Sequence, residues 1–406
     1  MENTSADSLA PELLAKELLD HCLASRPWPE QLLDRLLAGR ADQALFRIVV
    51  ERLGDLFEPR LCDVYADLFS HVIARRIPSL HADHLFARYQ RVRAPRVCDR
   101  DPATVESVFV LSRVTLGADV AITSVMLDAA KQRFPTARIW FAGPHKAWEL
   151  FAGDPRLNHL PVAYGRSGAL DDRLSIWPAL REAVSKPAGI VIDPDSRLTQ
   201  LGLMPICREA DYYFFESRSF GRDGSEPLSV MASRWAAETL GVANARPYIC
   251  TGRDAPAFAT TVSFGVGENP AKRLPGDFEA ELLRRLPRPI LIDKGAGGEE
   301  AERVEHAVSK AGAGITTWDG SFAGFAEHIA RSRLYVGYDS AGGHVAAACA
   351  VPLVCIFAGF ASERMLQRWK PTGLGQIAVI RADRSSDPLA DALKASSEFY
   401  RAAESL

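Results

Sequence analysis

The sequence changes rhythm once, close to residue 104, and that change limits the possible fold more than any single motif does. Ahead of it, Leu13, Leu14, Leu18, Leu19, Leu32, Leu33, Leu36, Leu37, Phe46, Val49, Val50 and Leu53 recur at three- and four-residue steps. That spacing draws an apolar stripe down one side of each helix. Pro27, Pro29 and Pro59 mark helix starts or stops, and the stretch around Pro95 reads as a linker. Past residue 104, short apolar runs alternate with helical stretches. Strands are predicted over 107–112, 138–141 and 189–192, with helices over 120–134, 146–151 and 229–240. A second set has strands over 260–264, 289–292, 314–317, 334–336 and 353–357, and helices over 277–286, 299–311, 322–330 and 343–350. Such alternation predicts two α/β halves with parallel sheets, whose ligands sit outside the carboxyl ends of the strands. The expected order is a helical module over 1–100, α/β domains over 101–245 and 246–384, and a helix over 385–406 with the composition to cross back to the first domain.

The balance of 48 basic against 51 acidic residues, a formal net charge of -3, leaves no positive field to gather a polyanion, so nucleic acid is not an expected partner. Seven cysteines stand at 22, 62, 98, 207, 250, 349 and 355 with no Cys-x-x-Cys pair, which reads as reduced thiols, neither zinc site nor disulfide framework. Residues 1–7 are polar and acidic, unlike a signal peptide, and the longest apolar run, over 345–361, is broken by Pro352 and Gly359. A soluble, cytoplasmic protein is the expectation.

Five stretches carry residues suited to chemistry. Over 334–357 a buried strand delivers Asp339 and Ser340, and Gly342, Gly343 and His344 open an alanine-rich helix. Free N–H groups at a helix N-terminus bind phosphate, so this is a candidate diphosphate cradle; helix caps and a tight turn are the simpler explanation. Over 111–124, Gly117, Ala118 and Asp119 lie between a strand and a helix, where Asp119 is a base or a cap. Over 263–278, Lys272 and Arg273 follow a strand end and either meet developing negative charge or lie on the surface. Asp193 and Asp195 have the Asp-x-Asp spacing of a metal motif, but with Arg197 they read better as cleft-facing residues. Asp319 and Ser321 follow another strand end, placed to touch a nucleoside or to cap a helix.

Three of these stretches, in order, resemble glycosyltransferase family 9, the ADP-heptose:lipopolysaccharide heptosyltransferases. Asp339, Ser340 and His344 match its signature, with Ala341 in place of a glycine. The 111–124 stretch, followed by Phe134 and Pro135, resembles its Gly-Asp-Val turn with Ala118 inserted, and Lys272 matches a lysine that contacts the donor diphosphate. The resemblance runs from about 105 to about 381, includes Trp369, Lys370 and Pro371, and leaves the helical module uncovered. It implies a GT-B fold, two Rossmann-like domains facing a cleft. The implied reaction is inverting and metal-independent: sugar, heptose included, passes from a nucleotide-diphosphate donor to an acceptor hydroxyl with no cofactor. Asp119 would be the base, and Lys272, Asp339, Ser340, Gly342, Gly343 and His344 the donor-binding set, with His344 orienting the phosphate loop. Asp319 and Ser321 would serve the nucleoside, and Asp193, Asp195 and Arg197 the acceptor side. Implied partners are the donor, a glycan, glycolipid or protein acceptor, and a protein or second copy docking on the helical module, at a cytoplasmic or peripheral inner-membrane location. Ala118 and Ala341 keep two alternatives open, an inactive GT-B scaffold and a sugar-nucleotide epimerase or hydrolase.

Overall fold

The computed structural model describes residues 4–38, 42–165, 169–222, 224–251, 255–267, 269–295 and 297–404. The helical stripe folds as five helices. These are α1 (Thr4–Leu23), α2 (Glu30–Leu37), α3 (Asp42–Ala44, the π-helical Leu45–Val50 and Glu51–Asp55), α4 (Pro59–Arg76) and α5 (Ala82–Arg93). The leucine pairs of α2 and Val49, Val50 and Leu53 of α3 are buried, as their spacing predicts.

The first sheet holds β1 (Ser107–Leu111), β2 (Arg138–Gly143), β3 (Leu157–Pro161), β4 (Gly189–Asp193) and β5 (Tyr212–Phe214), parallel throughout and ordered β3-β2-β1-β4-β5. Helix α6, made of Leu116–Ala118, the π-helical Asp119–Thr123 and Ser124–Arg133, follows β1, and α7 (Leu228–Leu240) follows β5. Alternate residues along a strand point to opposite faces. Val108, Val110, Ile139, Phe141, Ile190 and Ile192 pack with α6 and α7, whereas Phe109, Leu111, Ala142 and Val191 join the core of α1 to α5. The helical module therefore shares one hydrophobic core with the sheet, in place of the separable unit that the linker around Pro95 suggests. Arg88 and Tyr89 of α5 tie it down further, donating to the Gly202 carbonyl and the Glu216 carboxylate.

The second sheet holds β6 (Thr260–Ser263), β7 (Ile290–Asp293), β8 (Ile315–Trp318), β9 (Leu334–Tyr338), β10 (Leu353–Phe357) and β11 (Ile377–Arg381), again all parallel and ordered β11-β10-β9-β6-β7-β8. Its helices are α8 (Phe278–Arg285), α9 (Gly298–Ala311), α10 (Phe322–Arg331), α11 (Ala341–Ala348), α12 (Glu363–Trp369) and α13 (Pro388–Glu404). Helix α11 packs against α6, with Gly117 facing Ala341 and the His344 ring across the contact. The alanines of α11 thus form the seam between the domains. Helix α13 covers the second sheet instead of crossing back: Ala392 is buried in that domain's core, with Leu389, Leu393 and Phe399 beside it. The crossing element is α12. Its fully buried Arg368 donates to the carbonyls of Phe220 (3.2 Å) and Arg222 (3.3 Å) in the first domain.

Candidate functional site

Each sheet reverses its strand order at one place, between β1 and β4 in the first and between β6 and β9 in the second. Ligands of open parallel sheets bind at such points. Here both points open onto a single cavity of ≈ 340 Å³, lined by residues that follow all four strands. A larger groove, ≈ 1080 Å³, lies at the seam of the helical module and the first domain, but none of the candidate catalytic or binding residues line it.

On the second-domain side, Lys272 sits in a 3₁₀ turn, Pro270–Lys272, capped by the Asn269 side chain, and its Nζ donates to Asp339 Oδ2 at 2.6 Å. The turn rests on Gly359, where a Cβ would lie 2.2 Å from the Ala271 carbonyl oxygen. Ser340 precedes α11 but does not cap it; the residue lines the cavity while its Oγ is buried beside the Tyr335 hydroxyl. His344 also lines the cavity, edge-on to Trp369 at 5.9 Å between ring centroids. Burial pushes its imidazole down to about 4, with Asp339 pulling up and Lys272 pushing down, so the ring is neutral near pH 7.

Four of the singled-out residues on this side do not line the cavity. Gly342 and Gly343 face the interior: a Cβ on Gly342 would lie 2.2 Å from the Tyr335 hydroxyl, and one on Gly343 3.6 Å from Pro371. The small size of Gly342 admits the Tyr335 ring, whereas Gly343 has room for a Cβ, and neither lines the cavity. Ser321 caps α10, accepting from the Gly324 N–H at 3.1 Å, and Asp319 is exposed beside Lys294; both follow β8, an edge strand away from the switch point.

On the first-domain side, Asp195 is buried, with Oδ1 2.5 Å from the Arg113 guanidinium and Oδ2 accepting from Ser217 Oγ (2.7 Å) and Arg218 (3.5 Å). Arg197 lines the cavity alongside it. Val114, Asp195, Gln200 and Leu201 have φ between 47° and 59°. Left-handed backbone costs a residue with a side chain about 1–2 kcal/mol, and such strain gathers at functional sites. Of the eight described non-glycine residues with such φ, Val114, Asp195 and Leu201 line this cavity.

Asp119 and Asp193 do not reach the cavity. Asp119 has no exposed surface, and its oxygens accept from Ser112 Oγ, the Arg113 N–H and Thr123 Oγ1, each at 2.7 Å. Asp193 accepts from the Ser196 N–H (2.6 Å), Thr199 Oγ1 (2.5 Å) and Tyr212 Oη (2.5 Å). Each aspartate anchors the loop that leaves its strand, and the loops, not the anchors, face the cleft. The Asp-x-Asp pair accordingly points its carboxylates into different networks. Among the described residues no group of three His, Cys, Asp or Glu could hold a metal ion.

The helical module supplies a wall that the motifs did not announce. Phe46, Glu51 and Asp55 of α3 line the cavity. The Arg173 guanidinium lies 3.9 Å from the centroid of the Phe46 ring, a cation–π contact, and Tyr164 stands nearby. Only the helical spacing of α3 was visible in the sequence, and helical spacing does not tell a polar face in a cleft from one in water.

This architecture has close counterparts among solved structures. The ADP-heptose lipopolysaccharide heptosyltransferase II of E. coli aligns at 18% identity and a TM-score of 0.52, covering 74% of this chain and 100% of that one. The E. coli heptosyltransferase WaaC, solved with ADP, aligns at 15% identity and 0.56, covering 72% and 99%. A family 9 glycosyltransferase from Veillonella parvula aligns at 16% identity and 0.53, covering 76% and 98%. The fold is GT-B. No protein-family model matches the chain, and no curated protein matches it in sequence. These GT-B neighbours are covered almost whole, so the quarter of this chain that they leave unmatched is about the size of the helical module.

Proposed function

We propose that the chain transfers a glycosyl group from a nucleotide-diphosphate donor to an acceptor hydroxyl, with inversion at the anomeric carbon and no catalytic metal. The observation that carries this reading is the convergence of Lys272, Ser340 and the N-terminus of α11 on one side of a cleft whose other side belongs to a second domain. A diphosphate there meets a cation and the free N–H groups of a first helical turn. As the anomeric carbon–oxygen bond breaks, its electron pair goes to the diphosphate, and Lys272 with the helix dipole stabilises the charge that develops. His344, neutral and packed on Trp369, shapes the loop without adding charge. Arg197, Arg218 and Thr115 on the facing wall are the groups available to an acceptor, whether glycan, glycolipid or protein.

The neighbours named as heptosyltransferases, one of them solved with ADP, make an ADP-linked heptose the first donor to try. The test is calorimetric titration of ADP, UDP and GDP into the protein with chelator present. One of them should bind, and Lys272→Ala should weaken it roughly 10- to 100-fold, the worth of a charge-assisted hydrogen bond. Absence of binding by all three overturns the reading and leaves the fold without the activity.

A further inference from the structure

An acceptor hydroxyl must lose its proton as it attacks, and the cleft has to provide the base. Four carboxylates line the cavity: Glu51, Asp55, Asp195 and Asp339. Asp195 is committed to Arg113, Ser217 and Arg218, and Asp339 to Lys272. Glu51 is exposed at the rim. Asp55 is half-buried and makes no hydrogen bond or contact ion pair with any described residue, so its lone pairs are open to a ligand.

Its position is well determined. Asp55 is the last residue of α3, whose Val49, Val50 and Leu53 are buried in the shared core. Gly54 lets the helix end lie against the first domain, since a Cβ there would come within 3.1 Å of the Arg218 guanidinium. Two residues on, Phe57 packs edge-on against Trp369 of the second domain, 6.4 Å between centroids. The carboxylate therefore feels both sides of the cleft. Burial pushes it up, against the pull of Arg218 and Arg197 from the first domain, Lys272 from the second and Arg52 from its own helix.

We propose that Asp55 takes the proton from the acceptor hydroxyl, so that the helical module contributes a catalytic residue to the cleft. This rests on the glycosyl-transfer reading above. The acceptor oxygen forms its bond to the anomeric carbon as the bond from that carbon to the diphosphate breaks. The electron pair leaves with the nucleoside diphosphate beside Lys272, and the acceptor proton moves to Asp55, which returns it to solvent. Donor binding prepares the step. A diphosphate occupies the charge of Lys272 and adds its own negative charge nearby, and both effects raise the proton affinity of Asp55.

The experiment compares wild type, Asp55→Asn and Asp55→Glu, using the nucleoside diphosphate selected by calorimetry and its sugar conjugate, with water as the acceptor. Asp55→Asn should bind the nucleoside diphosphate at least as tightly as wild type, because it removes the negative charge that binding must neutralise. Titrations in buffers of different ionisation enthalpy should show proton uptake on binding in wild type and less in Asp55→Asn. Release of nucleoside diphosphate from the sugar conjugate should fall at least about 100-fold in Asp55→Asn and lose its rising pH limb, while Asp55→Glu keeps part of the rate. Equal release rates, or equal proton uptake, in wild type and Asp55→Asn overturn the proposal and leave the donor site standing. Failure of the wild type to bind any nucleoside diphosphate removes the glycosyl-transfer reading, and this one with it.

Discussion

Two buried aspartates stand at the feet of the cleft loops, and their titration gives a test of that placement. Burial raises Asp119 and Asp193 each to about 6, against the hydrogen bonds that they accept. An unfolded aspartate titrates near 3.9. Between about 4 and 6 the folded chain therefore holds more protons than the unfolded one, so the stability these groups contribute is complete below about 4 and is lost as pH rises through about 6. The advantage of wild type over Asp193→Asn, read from urea midpoints, should be larger at pH 4.5 than at pH 7. A pH-independent difference would show that Asp193 titrates normally. At this scale the sequence was informative about which strand ends matter and less so about which side chain turns outward. Lys272, Asp339, Ser340, His344, Asp195 and Arg197 reach the cavity. Asp119 and Asp193 carry the same chemistry, but the turns after β1 and β4 fold their carboxylates inward, and turn geometry is not written in residue type.

Among elements, the passage from β9 into α11 is the most demanding in its packing. Tyr335 is fully buried, and its ring end occupies the space that side chains at Gly337 and Gly342 would need, 2.8 Å and 2.2 Å from its hydroxyl. Gly342→Ala should cost about 1–3 kcal/mol by overpacking, seen as a lower urea midpoint with the slope unchanged. A neutral result would mean that the tyrosine ring moves freely, which its burial argues against. Helix α6 winds as a π-helix over Asp119–Thr123, directly after Ala118, while β1 keeps its register with β2. The long strands and helices were legible because each repeats its period several times. Strand β3, with Asn158, His159 and Pro161, and the three-residue β5 offer too few apolar positions to show one. Helix α12 is similarly short, and its bridging role depends on Arg368, a residue type normally expected at the surface.

For the whole molecule, the decisive fact is that the first sheet has no independent second face. Phe109, Leu111, Val191 and Tyr212 are covered by α1 to α5 together with the segment that follows β4. A chain starting at residue 101 should therefore aggregate or elute as large oligomers in size-exclusion chromatography, although it keeps both sheets. A monodisperse, cooperatively unfolding fragment would show that the module is dispensable to the fold. The period change near residue 104 placed the module's boundary, but periodicity says only that a helix has an apolar side and not what that side covers. The same shared core bears on how the chain is made. Helices α1 to α5 leave the ribosome before the sheet they cover, yet Tyr89 finds its partner Glu216 only 127 positions later. At about 5–20 residues per second the module's apolar surface waits on the order of 10 s for its sheet. During synthesis, the helical module is thus the segment most in need of a chaperone.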